Sequence, residues 1–196
     1  MHPVQELNFV AGHAALDFVN TAEERGHPQA GDALRSAADL RLWGQRYGLL
    51  ADPAGPGGPD RAELRRATEA RELLYALFFA RVHGRPAPPG GLDRLARLAG
   101  DAYRAARLRP GEDGTVRWQW DPGDLATVRH VAVTSAVDLL QTMATPRLKQ
   151  CPGDHCGWFF LDTTKRGNRR WCQMSECGQE AKDERRRATR RRARDA

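Results

Sequence analysis

The chain's only four cysteines gather in one stretch near its end, as two equally spaced pairs, Cys151/Cys156 and Cys172/Cys177. Each C-x4-C pair gives a short bite on a turn. Two such bites brought face to face make a tetrahedral all-sulfur site, and zinc is the metal that suits it. A segment whose four thiols serve one centre folds as a small unit that needs the metal for its shape. Two disulfides or an iron–sulfur cluster are the rival uses of four thiols. Disulfides belong to oxidising compartments, and the opening Met-His-Pro-Val-Gln-Glu-Leu lacks the basic start and apolar core of a secretory signal. Cytoplasm is therefore the expected location. His155, inside the first pair, could replace a cysteine, but with four cysteines at hand it reads as a solvent-facing turn residue.

The net charge of +6 is carried by this same region: from Lys149 onward there are thirteen Lys or Arg against seven Asp or Glu, which accounts for the whole excess. Residues 1–148 are neutral overall, and the hydrophobic content of 40% suffices for a core there. No apolar run is long enough to cross a bilayer, so no membrane partner is expected.

Along the chain, Leu16 and Val19 fall at helical spacing behind Gly12, predicting a short buried helix within 7–21. Asp17, Asn20 and Thr21 are polar groups in that apolar stretch. Two accounts fit them: helix caps and satisfied core hydrogen bonds, or contacts to a small-molecule ligand. Residues 22–31 read as a loop. A helix is predicted from Ser36, paired with Asp39 as a cap, through Leu40, Trp43 and Tyr47 to a stop at Gly48. Ala51 to Pro59 reads as a linker, and Asp60 as the cap of a helix over 61–83 whose stripe includes Leu64, Ala67, Leu74, Tyr75, Leu77, Phe78 and Val82. A helix over 92–107 is expected to bury Leu92, Leu95, Ala96, Ala99 and Tyr103. Thr115 to Trp120 alternates like a half-buried strand, with a partner in 108–112 or near the N-terminus. The best-defined helix starts at Asp121 or Asp124 and is closed by Pro146. Apolar on most sides, it is predicted to be the central helix, with His130 and Asp138 at its edges.

Past the first cysteine pair, Gly157 to Thr163 reads as a strand, Lys165 to Asn168 as a turn, and Arg169 to Cys172 as the returning strand of a hairpin. A helix from Met174 to Arg194 follows, with Ser175 as its cap. The order resembles a treble-clef zinc finger in outline, with Trp158, Phe160 and Trp171 expected to cover the metal. The last helix has no apolar stripe. Its Lys182, Arg185, Arg186, Arg187 and Arg190, with Arg191, Arg192 and Arg194 behind them, form a dense cation array, and arginine forks suit phosphate oxygens. The plain alternative is a solvated helix with side-by-side pairs such as Asp183 with Arg187. The expected fold is thus mainly α: a helical N-terminal domain over 1–148 with a minor strand element, and a small treble-clef-like zinc finger over 149–196.

The C-terminal part resembles the CGNR zinc finger, through Leu148-Lys149, Cys151, Cys156, Phe160-Leu161-Asp162, Arg169-Arg170-Trp171-Cys172, Met174, Cys177-Gly178, Ala181-Lys182 and the arginines that follow. The first part resembles the ABATE domain, through Leu16-Asp17-Phe18-Val19-Asn20-Thr21, Asp32, Leu34, Trp43 and Gly48. The resemblance implies a bacterial, mostly helical transcription regulator responsive to stress, whose finger binds DNA and whose N-terminal domain senses a ligand. One motif departs. The family's Cys-Gly-Asn-Arg reads Cys177-Gly178-Gln179-Glu180 here, which moves an amide and reverses a charge. Nucleic-acid contact would then rest on Arg166, Arg169, Arg170, Lys182 and the tail.

The function expected from these features is a zinc-finger DNA-binding regulator with a sensing or dimerising N-terminal domain, working as a homodimer. The alternative is a protein or RNA interaction module whose zinc is purely structural. Catalysis is not expected, since a closed four-cysteine site leaves no open coordination position and no nucleophile–base constellation stands out elsewhere.

Overall fold

The computed structural model describes residues 3–25, 30–51, 60–111, 113–142 and 147–194. Two side-chain caps set the frame of its helical part. In α2 (Ala37–Arg46) the Ser36 hydroxyl accepts from the Asp39 amide at 3.2 Å, and the Asp39 carboxylate takes the Ser36 hydroxyl at 2.8 Å. In α3 (Arg61–Val82) Asp60 accepts from the Glu63 amide at 2.8 Å. Both starts are those the cap residues predict. Gly48, at φ +77°, ends the α2 turn in a conformation that favours glycine. Residues 52–59 of the linker predicted from Ala51 to Pro59, and Pro146, lie outside the described residues.

The remaining helices are α1 (Ala14–Val19), α4 (Gly91–Ala105), α5 (Ala126–Thr142) and α6 (Cys177–Arg194). Helix α5 is central, touching α1, α2, α3 and α4. It lies so close to α2 that a Cβ on Gly44 would sit 2.6 Å from a Val128 methyl carbon. Trp43 is fully buried there, edge-on to Phe18 and stacked on Tyr47 with ring centroids 4.9 Å apart. His130, expected at an edge, is buried. Burial first, then the Arg129 charge, pulls its pKa below the usual histidine value. Asp138 is exposed, as expected.

Two buried faces carry charge. On α3, Glu63 lies on the same inward stripe as Ala67 and Leu74, and it accepts from Arg129 of α5 at 2.6 and 3.2 Å. Arg71, about two turns beyond Glu63, grips Asp32 with two hydrogen bonds of 2.7 and 2.6 Å and donates to the Thr21 hydroxyl at 3.0 Å. Asp32 reaches it because β1 (Ala22–Glu23) and β2 (Gly31–Asp32) pair antiparallel, a small hairpin in the region read as loop.

Two sequence expectations about surface are corrected. Helix α4 buries Leu95, Ala99 and Ala102, while Leu92 is 57% exposed and Ala96 also faces solvent. The helix flanks the domain, so only a narrow stripe is covered. Strand β4 (Val116–Gln119) does pair with a segment in the expected range, β3 (Arg107–Pro110), but the hairpin is exposed along its length rather than half-buried. Its root is held where the Trp120 indole donates to the Ala102 carbonyl at 2.8 Å, and Trp118 rests on Tyr103 of α4 with ring centroids 5.1 Å apart.

The core does not stop at the end of α5. Leu148, Phe159 and Leu161 belong to the same buried cluster as Leu16, Trp43 and Phe78. They lie on β5 (Leu148–Gln150) and β6 (Phe159–Leu161), which pair antiparallel with Leu148 opposite Leu161 and Gln150 opposite Phe159.

Candidate metal centre

Strand alternation explains the centre's position. Phe159 and Leu161 point to one face of β6 and enter the helical core, and Phe160 points to the other. There it packs with Cys151 and Cys172, while Trp158, Trp171, Cys156 and Cys177 close around them. The expected aromatic cover of Trp158, Phe160 and Trp171 is therefore present. The turn joining β5 to β6 carries the first cysteine pair. The Cys151 amide donates to the Trp158 carbonyl at 2.7 Å, and Gly157, at φ +69°, makes the reversal that a side-chain-bearing residue would strain.

The four cysteine sulfurs lie within 4.8 Å of one another, with Cys156 to Cys172 at 3.5 Å and Cys172 to Cys177 at 3.6 Å. A zinc ion at about 2.3 Å from each sulfur of a tetrahedron would separate them by about 3.8 Å, whereas a disulfide needs about 2.0 Å. The donor set thus fits zinc. All four positions are taken by sulfur, so the ion is structural. Hydrogen bonding among the sulfurs pulls the Cys151 thiol below its usual pKa and pushes Cys156 and Cys172 above theirs. His155 is exposed and stands outside the four-sulfur group.

The second cysteine pair is presented differently from the expectation. Residues 169–172 do not form a returning strand; β6 pairs with β5 instead. The reason is Asp162, whose carboxylate is fully buried and replaces a ladder. It accepts from Lys149 Nζ at 2.7 Å, the Thr164 amide and hydroxyl at 3.0 and 2.5 Å, and the Arg169 amide at 2.8 Å. Burial opposes its ionisation, and these donors outweigh burial, holding the carboxyl well below the usual range. Helix α6 then starts at Cys177 rather than Met174, because the Cys172–Cys177 bite occupies a non-helical turn. Ser175 accepts from the Gln173 side chain and caps nothing.

The candidate nucleic-acid residues divide. Arg166 and Arg170 are exposed, and Arg170 lies over Trp171 at 5.2 Å. Lys182, Arg185, Arg186, Arg187 and Arg190 are exposed along α6. Asp183 sits 4.0 Å from Arg186, so the side pairing on α6 falls there rather than on Arg187. Arg169 is turned inward. Its guanidinium lies over Phe160 at 4.5 Å and donates to the carbonyls of Val10, Leu161, Trp171 and Cys172, which ties the finger to the N-terminal segment. Glu23, Glu24, Glu176 and Glu180 line a hollow of about 300 Å³ against Cys156 and Cys177, so one flank of the centre is acidic.

Asp17, Asn20 and Thr21 are engaged by the chain itself. Asn20 bridges Phe159 at both backbone atoms, donating to its carbonyl at 2.8 Å and accepting from its amide at 2.9 Å. Thr21 donates to the Phe18 carbonyl at 2.7 Å. Asp17 accepts from the Ala11 amide at 3.0 Å and the Tyr47 hydroxyl at 3.4 Å. Burial pushes the Asp17 pKa up to about 6, against the pull of those donors. The fold therefore favours the protonated carboxyl. Its contribution is fully present below about pH 4 and fades as pH rises through about 6, by about 3 kcal/mol in all. Asp17→Asn is expected to remove that slope and to raise stability near neutrality by up to this amount. Urea melts of both chains at pH 4.5 and 7.5 check it, since the difference between chains cancels the cysteine contribution.

Sequence reading missed Asn20 as a bridge to the finger, Lys149 and Asp162 as the finger's internal post, and the buried Glu63–Arg129 and Arg71–Asp32 pairs. For the last two a signal was available: Glu63 and Arg71 occupy positions on the apolar stripe of α3.

Residues 12–143 match the model of the ABATE family, described as "Putative stress-induced transcription regulator". Residues 147–193 match the CGNR zinc finger. A search of curated proteins returns no match.

Proposed function

The chain belongs to the ABATE family and carries a CGNR zinc finger, and from that premise we propose that it is a DNA-binding transcription regulator whose finger and helix α6 grip phosphate while the helical domain serves as the sensing half. The observation that carries this reading is the placement of the tail cations. Helix α6 begins at a metal ligand, so the zinc clamps its base, and from there Lys182, Arg185, Arg186, Arg187 and Arg190 stand in solvent. The acidic flank at Glu176 and Glu180, beside a centre that itself carries about two negative charges when zinc is bound by four thiolates, would repel phosphate. The DNA contacts are therefore assigned to Arg166, Arg170 and the outer turns of α6. Arg169 is given no part in them, because its donors serve backbone carbonyls. No described helix is long and apolar enough to cross a membrane. A cytoplasmic regulator fits that.

Counterion release makes the test quantitative. The logarithm of the DNA association constant should fall with log salt at a slope of about −0.9 per phosphate neutralised. Truncation after Lys182 keeps all four ligands and removes the outer arginines. Loss of three phosphate contacts would flatten the slope by about 2.7. A salt series by fluorescence anisotropy on the zinc-loaded full chain and the truncated chain measures it. If neither form binds at low salt, the reading falls, and an acidic protein or an RNA becomes the partner to seek.

A further inference from the structure

We infer that a cavity between the first turns of α2 and α3 binds a small organic phosphate. The inference rests on the reading of the helical domain as the sensing half, and it supplies the site that Asp17, Asn20 and Thr21 do not. The cavity measures about 890 Å³, within the range of about 300–1,000 Å³ usual for small-molecule sites. Four guanidinium side chains line it, those of Arg35, Arg41, Arg61 and Arg65, and among the described residues no carboxylate does. Leu34, Leu64 and Leu125 supply an apolar floor.

The arginines stand where the fold alone disfavours them. Arg61 is the first residue of α3 and Arg35 immediately precedes the cap of α2, so cations sit at the positive ends of two helices. The nearest acids in sequence are committed elsewhere: Asp39 takes the Ser36 hydroxyl and the Arg35 amide, and Asp60 takes the Glu63 amide. Among the described residues only Arg65 of the four meets a carboxylate, Glu69 at 3.8 Å on the surface. Arg35, Arg61 and Arg65 are exposed and Arg41 is half-buried, so water tempers the repulsion, but three cations gathered without an acidic partner still carry a cost, and such breaches of local preference concentrate at functional sites. An anion removes the cost. Arginine forks match phosphate oxygens two at a time, and four of them call for more than one negative charge. The leucine floor calls for an apolar or aromatic body beside that charge. Together these describe a phosphate ester or diphosphate of an organic group rather than a free inorganic ion.

Adenosine 5′-diphosphate, inorganic pyrophosphate and adenosine probe charge and body separately. Calorimetry on the zinc-loaded full chain at low ionic strength should show the diphosphate binding more tightly than pyrophosphate, with neutral adenosine giving no heat. The double variant Arg41→Ala/Arg61→Ala should lose about tenfold or more in diphosphate affinity. Its thermal midpoint without ligand should hold or rise, because a cation leaves a helix N-terminus. A merely structural role would lower the midpoint and overturn the inference. So would the absence of heat from both anions up to millimolar concentration, or equal affinity in the variant. If neither anion binds and the variant weakens DNA binding, the cavity is a strip of nucleic-acid contact and the inference fails. If the diphosphate binds and DNA does not, the site stands and the DNA reading falls.

Discussion

Chelating the metal is expected to unfold the helical core together with the finger. A zinc finger joined by a loose tether would melt by itself and leave the helices alone. Here β6 has one face in each: Phe159 and Leu161 are buried among the core residues of α1 and α3, and Phe160 lies against the ligand cysteines. Losing the ion releases the cysteine turn, and the strand that the turn holds goes with it. Structural zinc contributes about 10–16 kcal/mol of apparent binding free energy at neutral pH, against about 5–15 kcal/mol for the whole stability of an ordinary domain. A strong chelator, or Cys172→Ser, should therefore shift the thermal midpoint far down, and the shift should be shared. Near-UV circular dichroism gains signal from Trp43, which is packed between Phe18 and Tyr47 in the helical part. That signal and the far-UV helix signal should be lost in one transition. A Trp43 environment that survives chelation would mean β6 is dispensable to the core.

Asn20→Ala is the second large effect expected. The amide of Asn20 satisfies both the N–H and the C=O of Phe159, and all three groups are buried. Alanine leaves two backbone groups without a partner, at about 1–3 kcal/mol each, so a loss of about 2–6 kcal/mol follows. Asn20→Asp should be no better, because a carboxylate can accept from the amide but faces the carbonyl with a second acceptor. The informative readout is zinc affinity, measured by competition with a chromophoric chelator. Asn20 touches no ligand, so a purely local role would leave that affinity unchanged. A role in seating β6 weakens it, because strand and cysteine turn are one hairpin.

Local chemistry was legible in the sequence, and partner choice was not. The cysteine spacing announced the centre, Ser36 and Asp60 announced two helix starts, and the apolar faces of α5 announced its central place. Each of these signals lies within a few residues of its effect. The pairing of β6 is of another kind. The sequence reads residues 157–163 as pairing forwards with 169–172 across the turn at 165–168, and β6 pairs backwards with β5 instead. What decides it is a buried carboxylate, Asp162, whose partners Lys149, Thr164 and Arg169 are spread through the finger. Arg169 read as a phosphate ligand because its neighbours are basic, yet its donors are spent on Val10, Leu161 and Trp171. The exposure of the β3–β4 hairpin was hidden for a related reason: alternation shows two faces, and it does not show that one ring contact, Trp118 on Tyr103, is too little to bury either. The arginine cavity is assembled from two helix starts far apart in sequence.

The two-faced strand β6 also bears on the order of events during synthesis. Domains usually begin to fold from their N-terminal end as the chain emerges. In this chain one wall of the helical core is supplied by Leu148, Phe159 and Leu161, which are made after every helix of that core. Until they emerge, the apolar faces of α1 and α3 lack their cover, and once they emerge the strand still waits for Cys172 and Cys177 to close the metal site. Nascent helices thus lack that cover until Cys177 has been made, and a ribosome stalled before residue 177 would carry a chain with one wall of its core unsecured.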